Sequence, residues 1–136
     1  MNVEIIEKLR RKETLRKAKS YFDSMLEFTR GPIELHEMME RGEKLNIIDV
    51  RRPEHYAKEH IPGAVSLPED KWSTFKGLSK DRPNVVYCYS TVCQISKRAC
   101  KYFAEHDFPV LDLNGGIEEW KRNQLPTETQ ETMMSG

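Results

Sequence analysis

The chain has 136 residues, 38% of them hydrophobic, enough for one core and therefore one domain with modest appendages. Lys plus Arg and Asp plus Glu both number 22, so overall charge points to neither nucleic acid nor a membrane surface. No apolar run approaches the roughly 20 residues that span a bilayer, and the N-terminus lacks a signal-peptide core, so the expected compartment is the cytoplasm.

Val3 to about Met25 places Ile5, Ile6, Leu9, Tyr21, Phe22 and Met25 among many charges, which predicts one helix with a patchy apolar stripe. Its basic residues, Lys8, Arg10, Arg11, Lys12, Arg16, Lys17 and Lys19, read as a solvated face. The stripe is expected to pack on the domain or on a second copy of the chain, which would make a homodimer. Residues 1–30 thus form an N-terminal helical extension.

Gly31 and Pro32 punctuate the chain, and Pro32 suits the first turn of a helix that Gly42 stops. Leu45 to Val50 is a short apolar run that reads as a buried strand. Pro53 opens a short helix, Pro62-Gly63 marks a turn before a strand at Ala64 to Leu67, and Pro68 to Phe75 makes another helical turn. Val85-Val86-Tyr87 is a third strand. From Gln94 to His106, Ile95, Ala99, Tyr102 and Phe103 recur at the spacing of a helix lying on a sheet. Val110 to Leu113 is a strand broken by Asn114-Gly115-Gly116, and a last helix is expected from Ile117 to Asn123. Strands alternating with helices predict an α/β fold, a central parallel sheet with helices on both faces. Residues 31–126 form the domain, and 127–136 read as a flexible tail.

Ligands in open α/β sheets bind beyond the carboxyl ends of the strands, and Cys88 stands there, between Tyr87 and the helix that follows. Unpaired N–H groups of the loop Tyr89-Ser90-Thr91-Val92-Cys93-Gln94, backed by the helix dipole, would form a cradle for an anion and lower the Cys88 thiol pKa. Position alone leaves two readings open: an activated nucleophile, or a small buried hydrophobe at a strand end. The cysteines number three, an odd count in a chain large enough to fold without staples, so a structural disulfide framework is not expected. No His/Cys spacing resembles a zinc site.

Three segments carry a resemblance. Tyr56-Ala57-Lys58-Glu59-His60-Ile61-Pro62-Gly63-Ala64-Val65-Ser66-Leu67 is similar to the N-terminal signature of the rhodanese family. Ile48-Asp49-Val50-Arg51 resembles the family's strand ending in Asp-x-Arg, and Asn114-Gly115-Gly116-Ile117-Glu118-Glu119-Trp120 resembles its C-terminal signature. The resemblance covers roughly residues 31–126. It implies a single-domain sulfurtransferase in which Cys88 takes sulfane sulfur from thiosulfate, polysulfide or a persulfide and yields it to a thiol or cyanide. Partners would then be small sulfur compounds or an acceptor thiol protein, with no cofactor and no metal. Gln94 stands where related phosphatases with a longer loop carry an arginine, which argues against phosphate-ester hydrolysis.

The loop departs from the family in having no glycine and no Lys or Arg, so thiosulfate, a dianion, is expected to be a poor donor. Arg51 and His55 are the charges that the resemblance places near the site, although Arg51 serves equally well in a structural ion pair. Tyr89, Ser90 and Thr91 would shape the pocket and offer hydroxyls, with Val92, Cys93 and Gln94 completing it. His60 is expected to order the Pro62-Gly63 turn. Cys93 either fills the first helical turn or attacks a Cys88 persulfide to leave a disulfide, and Cys100 is expected to be buried packing. Two rival readings remain: a thiol redox protein using Cys88 and Cys93, and a non-catalytic interaction module.

Overall fold

A computed structural model describes residues 2–130. Five strands, β1 (Thr29–Arg30), β2 (Asn46–Asp49), β3 (Val65–Ser66), β4 (Asn84–Tyr87) and β5 (Val110–Leu113), form one sheet. Their order is β1-β5-β4-β2-β3 and every pairing is parallel, so the expected α/β architecture is present. The strand β4 lies at the centre and is buried along its whole length, as a strand covered on both faces must be.

Alternation along β4 divides the core in two and decides which side the cysteine takes. Val85 and Tyr87 point to a cluster with Leu35, Ile47, Ile61, Leu113, Ile117 and Trp120. That face is covered by α3 (Pro32–Glu40) and α6 (Gly116–Arg122), with α4 (Pro53–Lys58) joining β2 to β3. Val86 and Cys88 point the other way, to Ile48, Val50, Leu67, Trp72, Ala99 and Phe103. There α5 (Ile95–Glu105) and a 3-10 helix (Glu69–Thr74) cover the sheet. Burying each such aliphatic side chain contributes about 1.5–3 kcal/mol before the entropy of ordering it is subtracted.

The N-terminal segment differs from the single helix expected. It is two helices, α1 (Val3–Arg10) and α2 (Lys12–Phe28), because Arg11 takes an extended backbone (φ −62°, ψ 139°) that neither helix can contain. Neither buries a residue, and Val3, Ile5, Leu9, Leu15, Tyr21, Phe22 and Leu26 are exposed. Only the C-terminal end of α2 reaches the sheet, where it feeds β1 onto β5. At the other end, Thr127 and Glu128, assigned to the tail by composition, return to the domain. Glu128 exchanges backbone hydrogen bonds of 2.9 Å with His60 and accepts from the Gly63 N–H at 3.0 Å. Of the expected tail, residues 131–136 lie outside the described residues. Among the described residues, no helix is long and apolar enough to cross a membrane.

Candidate active site

The loop after β4 is held from below by the start of α6. The N–H of Ile117 donates to the Cys88 carbonyl and that of Glu118 to the Tyr89 carbonyl, each at 3.0 Å. This approach needs Gly116: at φ +60° a Cβ would stand 2.5 Å from the Cys88 carbonyl oxygen. The loop then turns, with the Cys93 N–H donating to the Ser90 carbonyl at 3.2 Å, and enters α5 through Gln94.

Cys88 lies at the floor of this turn, 1% exposed. Its Sγ is 3.6 Å from the Cys93 carbonyl oxygen, to which the S–H can donate, and 3.4 Å from Ser96 Oγ. Burial pushes the Cys88 thiol up despite hydrogen bonds from the Ser96 hydroxyl and N–H, which corrects the lowering expected from the helix terminus alone. The second thiol adds to that rise. Burial pulls Cys93 upward too, but the neighbouring Cys88 thiol, the Ile95 and Tyr89 N–H groups and the Arg98 charge favour its thiolate and hold Cys93 below its ordinary value. The cradle expected to serve Cys88 is thus divided between two sulfurs, and the Cys93 N–H is used by the turn itself.

The other expected site residues separate into two groups. Arg51 does not offer its charge to the loop: its guanidinium is buried against Asp49 at 2.8 Å and donates to the Glu59 carbonyl at 2.6 Å. Tyr89 stands over it, ring centroid 5.6 Å from the Arg51 guanidinium carbon. The Tyr89 hydroxyl lies 2.6 Å from His55 Nδ1 and accepts the Arg52 N–H at 3.2 Å, so His55 orders Tyr89. Thr91, Val92 and Gln94 form the exposed rim, Val92 being 85% exposed, and Ser90 is half-buried beneath them. His60 is fully buried, its Nδ1 2.7 Å from the Tyr56 carbonyl and its ring stacked on Tyr56, so these contacts hold it to α4, while the Gly63 N–H of the turn donates to Glu128. Cys100 is turned to the Leu111 carbonyl at 3.8 Å, and burial pushes its thiol pKa well up.

Two residues at the site escaped the sequence. Ser96 touches Cys88 from the second position of α5, a hydroxyl in a first helical turn that could have been read as facing the strand end. Arg98 brings positive charge toward Cys93, but it also faces Glu69 at 3.9 Å, which spacing along the chain does not reveal. Beside the loop runs a depression in which Arg51, Arg52, Glu69 and Asp70 stand around Tyr89 and Ile95, so its lining is of mixed charge. Among the described residues no three His, Cys, Asp or Glu side chains gather as a metal site would require.

A family model described as the rhodanese-like domain matches residues 31–123. A thiosulfate sulfurtransferase, GlpE, of Pseudomonas fluorescens is 36% identical over 107 residues, 77% of this chain and 94% of the relative. The HTH-type transcriptional regulator Rv0324 of Mycobacterium tuberculosis is 32% identical over 96 residues, 70% of this chain, and the chain spans only 42% of that relative's length. Among solved structures, the BH2092 protein of Bacillus halodurans superimposes with a TM-score of 0.76 at 31% identity, covering 85% of this chain and 86% of that one.

Proposed function

The chain belongs to the rhodanese-like family, and from that premise we propose that it is a sulfurtransferase carrying sulfane sulfur as a persulfide on Cys88. The observation that carries the reading is the placement of Cys88: a nucleophile-bearing strand end, fixed through its carbonyl by Ile117 and faced by the Ser96 hydroxyl and N–H. In the first half-reaction Cys88 Sγ attacks the outer sulfur of the donor. The donor's S–S bond breaks, the shortened donor leaves as an anion, and Cys88 keeps the sulfur. In the second, a thiolate or cyanide attacks that outer sulfur and Cys88 leaves as thiolate, which makes the kinetics ping-pong.

Burial holds the Cys88 thiol above its ordinary value, and the Ser96 hydroxyl and N–H favour the reacting thiolate against that pull. The donor class follows from the charges. With no Lys or Arg in the loop, with Arg51 committed to Asp49 and with Arg52 facing Glu54 beside Glu69 and Asp70, the charges around the loop offset one another, so polysulfide or a small persulfide is preferred over the thiosulfate dianion.

The test is intact-protein mass spectrometry of the reduced protein after brief exposure to polysulfide and, separately, to thiosulfate, with Cys88→Ser alongside. Gain of one sulfur atom, faster with polysulfide and absent from Cys88→Ser, is the expected result. No mass change with either donor would leave the non-catalytic module as the better account.

A further inference from the structure

Cys93 has no part in a simple sulfur carrier, yet it occupies the most favoured place in the loop. It packs on the buried cluster that contains Cys88, its carbonyl oxygen lies 3.6 Å from Cys88 Sγ, and it is more exposed than Cys88. The Cys93 N–H to Ser90 carbonyl turn folds the loop back so that Cys93 closes over the Cys88 sulfur. That places a second thiol at the mouth of the loop whose floor holds the nucleophile. Cys100 offers the internal comparison: on the same helix side of the sheet, it points to the Leu111 carbonyl.

Resting on the sulfurtransferase reading, we propose that Cys93 is the second nucleophile of the site, resolving the Cys88 persulfide so that the protein reduces sulfane sulfur to sulfide. Cys93 Sγ attacks Cys88 Sγ, and the bond between Cys88 Sγ and the outer sulfur breaks. The outer sulfur leaves as hydrosulfide, carrying the proton from the Cys93 thiol, and a Cys88–Cys93 disulfide remains. The sulfane sulfur gains two electrons and the two cysteines together lose two. A dithiol, either a small molecule or a protein, then reduces the disulfide and releases both thiols for the next turnover.

Proximity makes this step effectively first order, whereas an external thiol must reach a sulfur at the floor of the loop. An internal acceptor also explains why the loop carries a second cysteine where the first alone would suffice for a carrier.

The experiment is a single turnover of the full chain, reduced and freed of thiol, with limiting polysulfide, acid-quenched over time and followed by intact mass and by sulfide release. Wild type should gain one sulfur atom transiently, then lose two hydrogens relative to the reduced protein, with sulfide released in step. Cys93→Ser should gain the sulfur atom and keep it at least about tenfold longer, releasing sulfide only when a thiol is added. Cys100→Ser should behave as wild type, and peptide mapping should link Cys88 to Cys93. A wild-type persulfide as long-lived as that of Cys93→Ser, or a disulfide involving Cys100, would overturn the resolving role while leaving the carrier intact. Failure of both wild type and Cys93→Ser to gain sulfur would overturn the carrier reading and this one with it.

Discussion

Arg51 closes on Asp49 as a fork: its Nη2 lies 2.8 Å from one carboxylate oxygen and its Nε 3.1 Å from both. The carboxylate also accepts the Arg51 N–H at 2.9 Å and the Tyr87 hydroxyl at 2.6 Å, and that hydroxyl accepts the Ile61 N–H at 3.1 Å. One buried pair therefore ties the end of β2 to β4 just before Cys88 and to the segment leading into β3. Burying both charges is costly, and the many hydrogen bonds are what offset that cost. The pair also keeps from the loop one of the two charges, Arg51 and His55, that the resemblance had placed near it.

Replacing Asp49 by Ala leaves the Arg51 guanidinium buried without its counter-charge and Tyr87 without its acceptor. The expected loss is about 3–5 kcal/mol, a large share of the stability of a domain this size. Urea denaturation of the variant beside the wild type measures it. An unchanged midpoint would mean that Arg51 escapes to solvent and that the pair is dispensable.

How far the sequence reveals this site depends on which interaction places each residue. Strand and helix periods are written in side chains, so β4, α5 and the position of Cys88 between them are legible. The strand Thr29–Arg30 is not, since two residues carry no period and its place comes from backbone pairing with the edge of β5. Asp49 and Arg51 were visible as a motif, but the direction of the guanidinium is decided by the His55 and Glu59 carbonyls that α4 brings beneath it. The division of the loop N–H groups between Cys88 and Cys93 depends on where one side chain points inside a six-residue turn, and no pattern along the chain encodes that. The docking of Glu128 on His60 is likewise a long-range contact, and a polar segment without periodicity read as tail.

Gly116 sets a second expectation. A methyl group there would meet the Cys88 carbonyl, a backbone atom that cannot step aside without moving the nucleophile. Gly116→Ala should cost about 1–3 kcal/mol of stability. It should also slow persulfide formation at least about tenfold, because small displacements of a reacting group are expensive. Gly63→Ala is the control: φ is +82° but the space is open, so it should bear the backbone strain and leave the rate alone. Equal rates in the two variants would show that the contact with α6 does not position Cys88.

The coupling of the two thiols predicts a direction in pH. Cys88 is raised first by burial, and Cys93 adds to the rise through its hydrogen bond and its charge. Removing Cys93 as Ala takes away the neighbouring negative charge, so the Cys88 thiolate should appear at lower pH than in the wild type. The pH profile of Cys88 alkylation, read by mass spectrometry after peptide mapping, should move downward. A profile unmoved or shifted upward would mean that Cys93 does not carry the first negative charge of the pair.

Ser96 should move the same profile the opposite way. Its hydroxyl lies 3.4 Å from Cys88 Sγ and, with its N–H, favours the thiolate against the pull of burial. In Ser96→Ala the burial remains and the hydroxyl is lost, so the Cys88 pKa should rise further and alkylation at neutral pH should slow. The stability cost should stay within about 0.5–1.5 kcal/mol, because Cys88 as a neutral thiol still donates to the Cys93 carbonyl. A purely structural serine would lower the denaturation midpoint without moving the pH profile, so the two measurements together separate positioning from packing. Restoring a hydroxyl as Thr at 96 should bring the profile back toward the wild type if the methyl group fits against α5, and a Ser96→Ala profile identical to that of the wild type would remove Ser96 from the site.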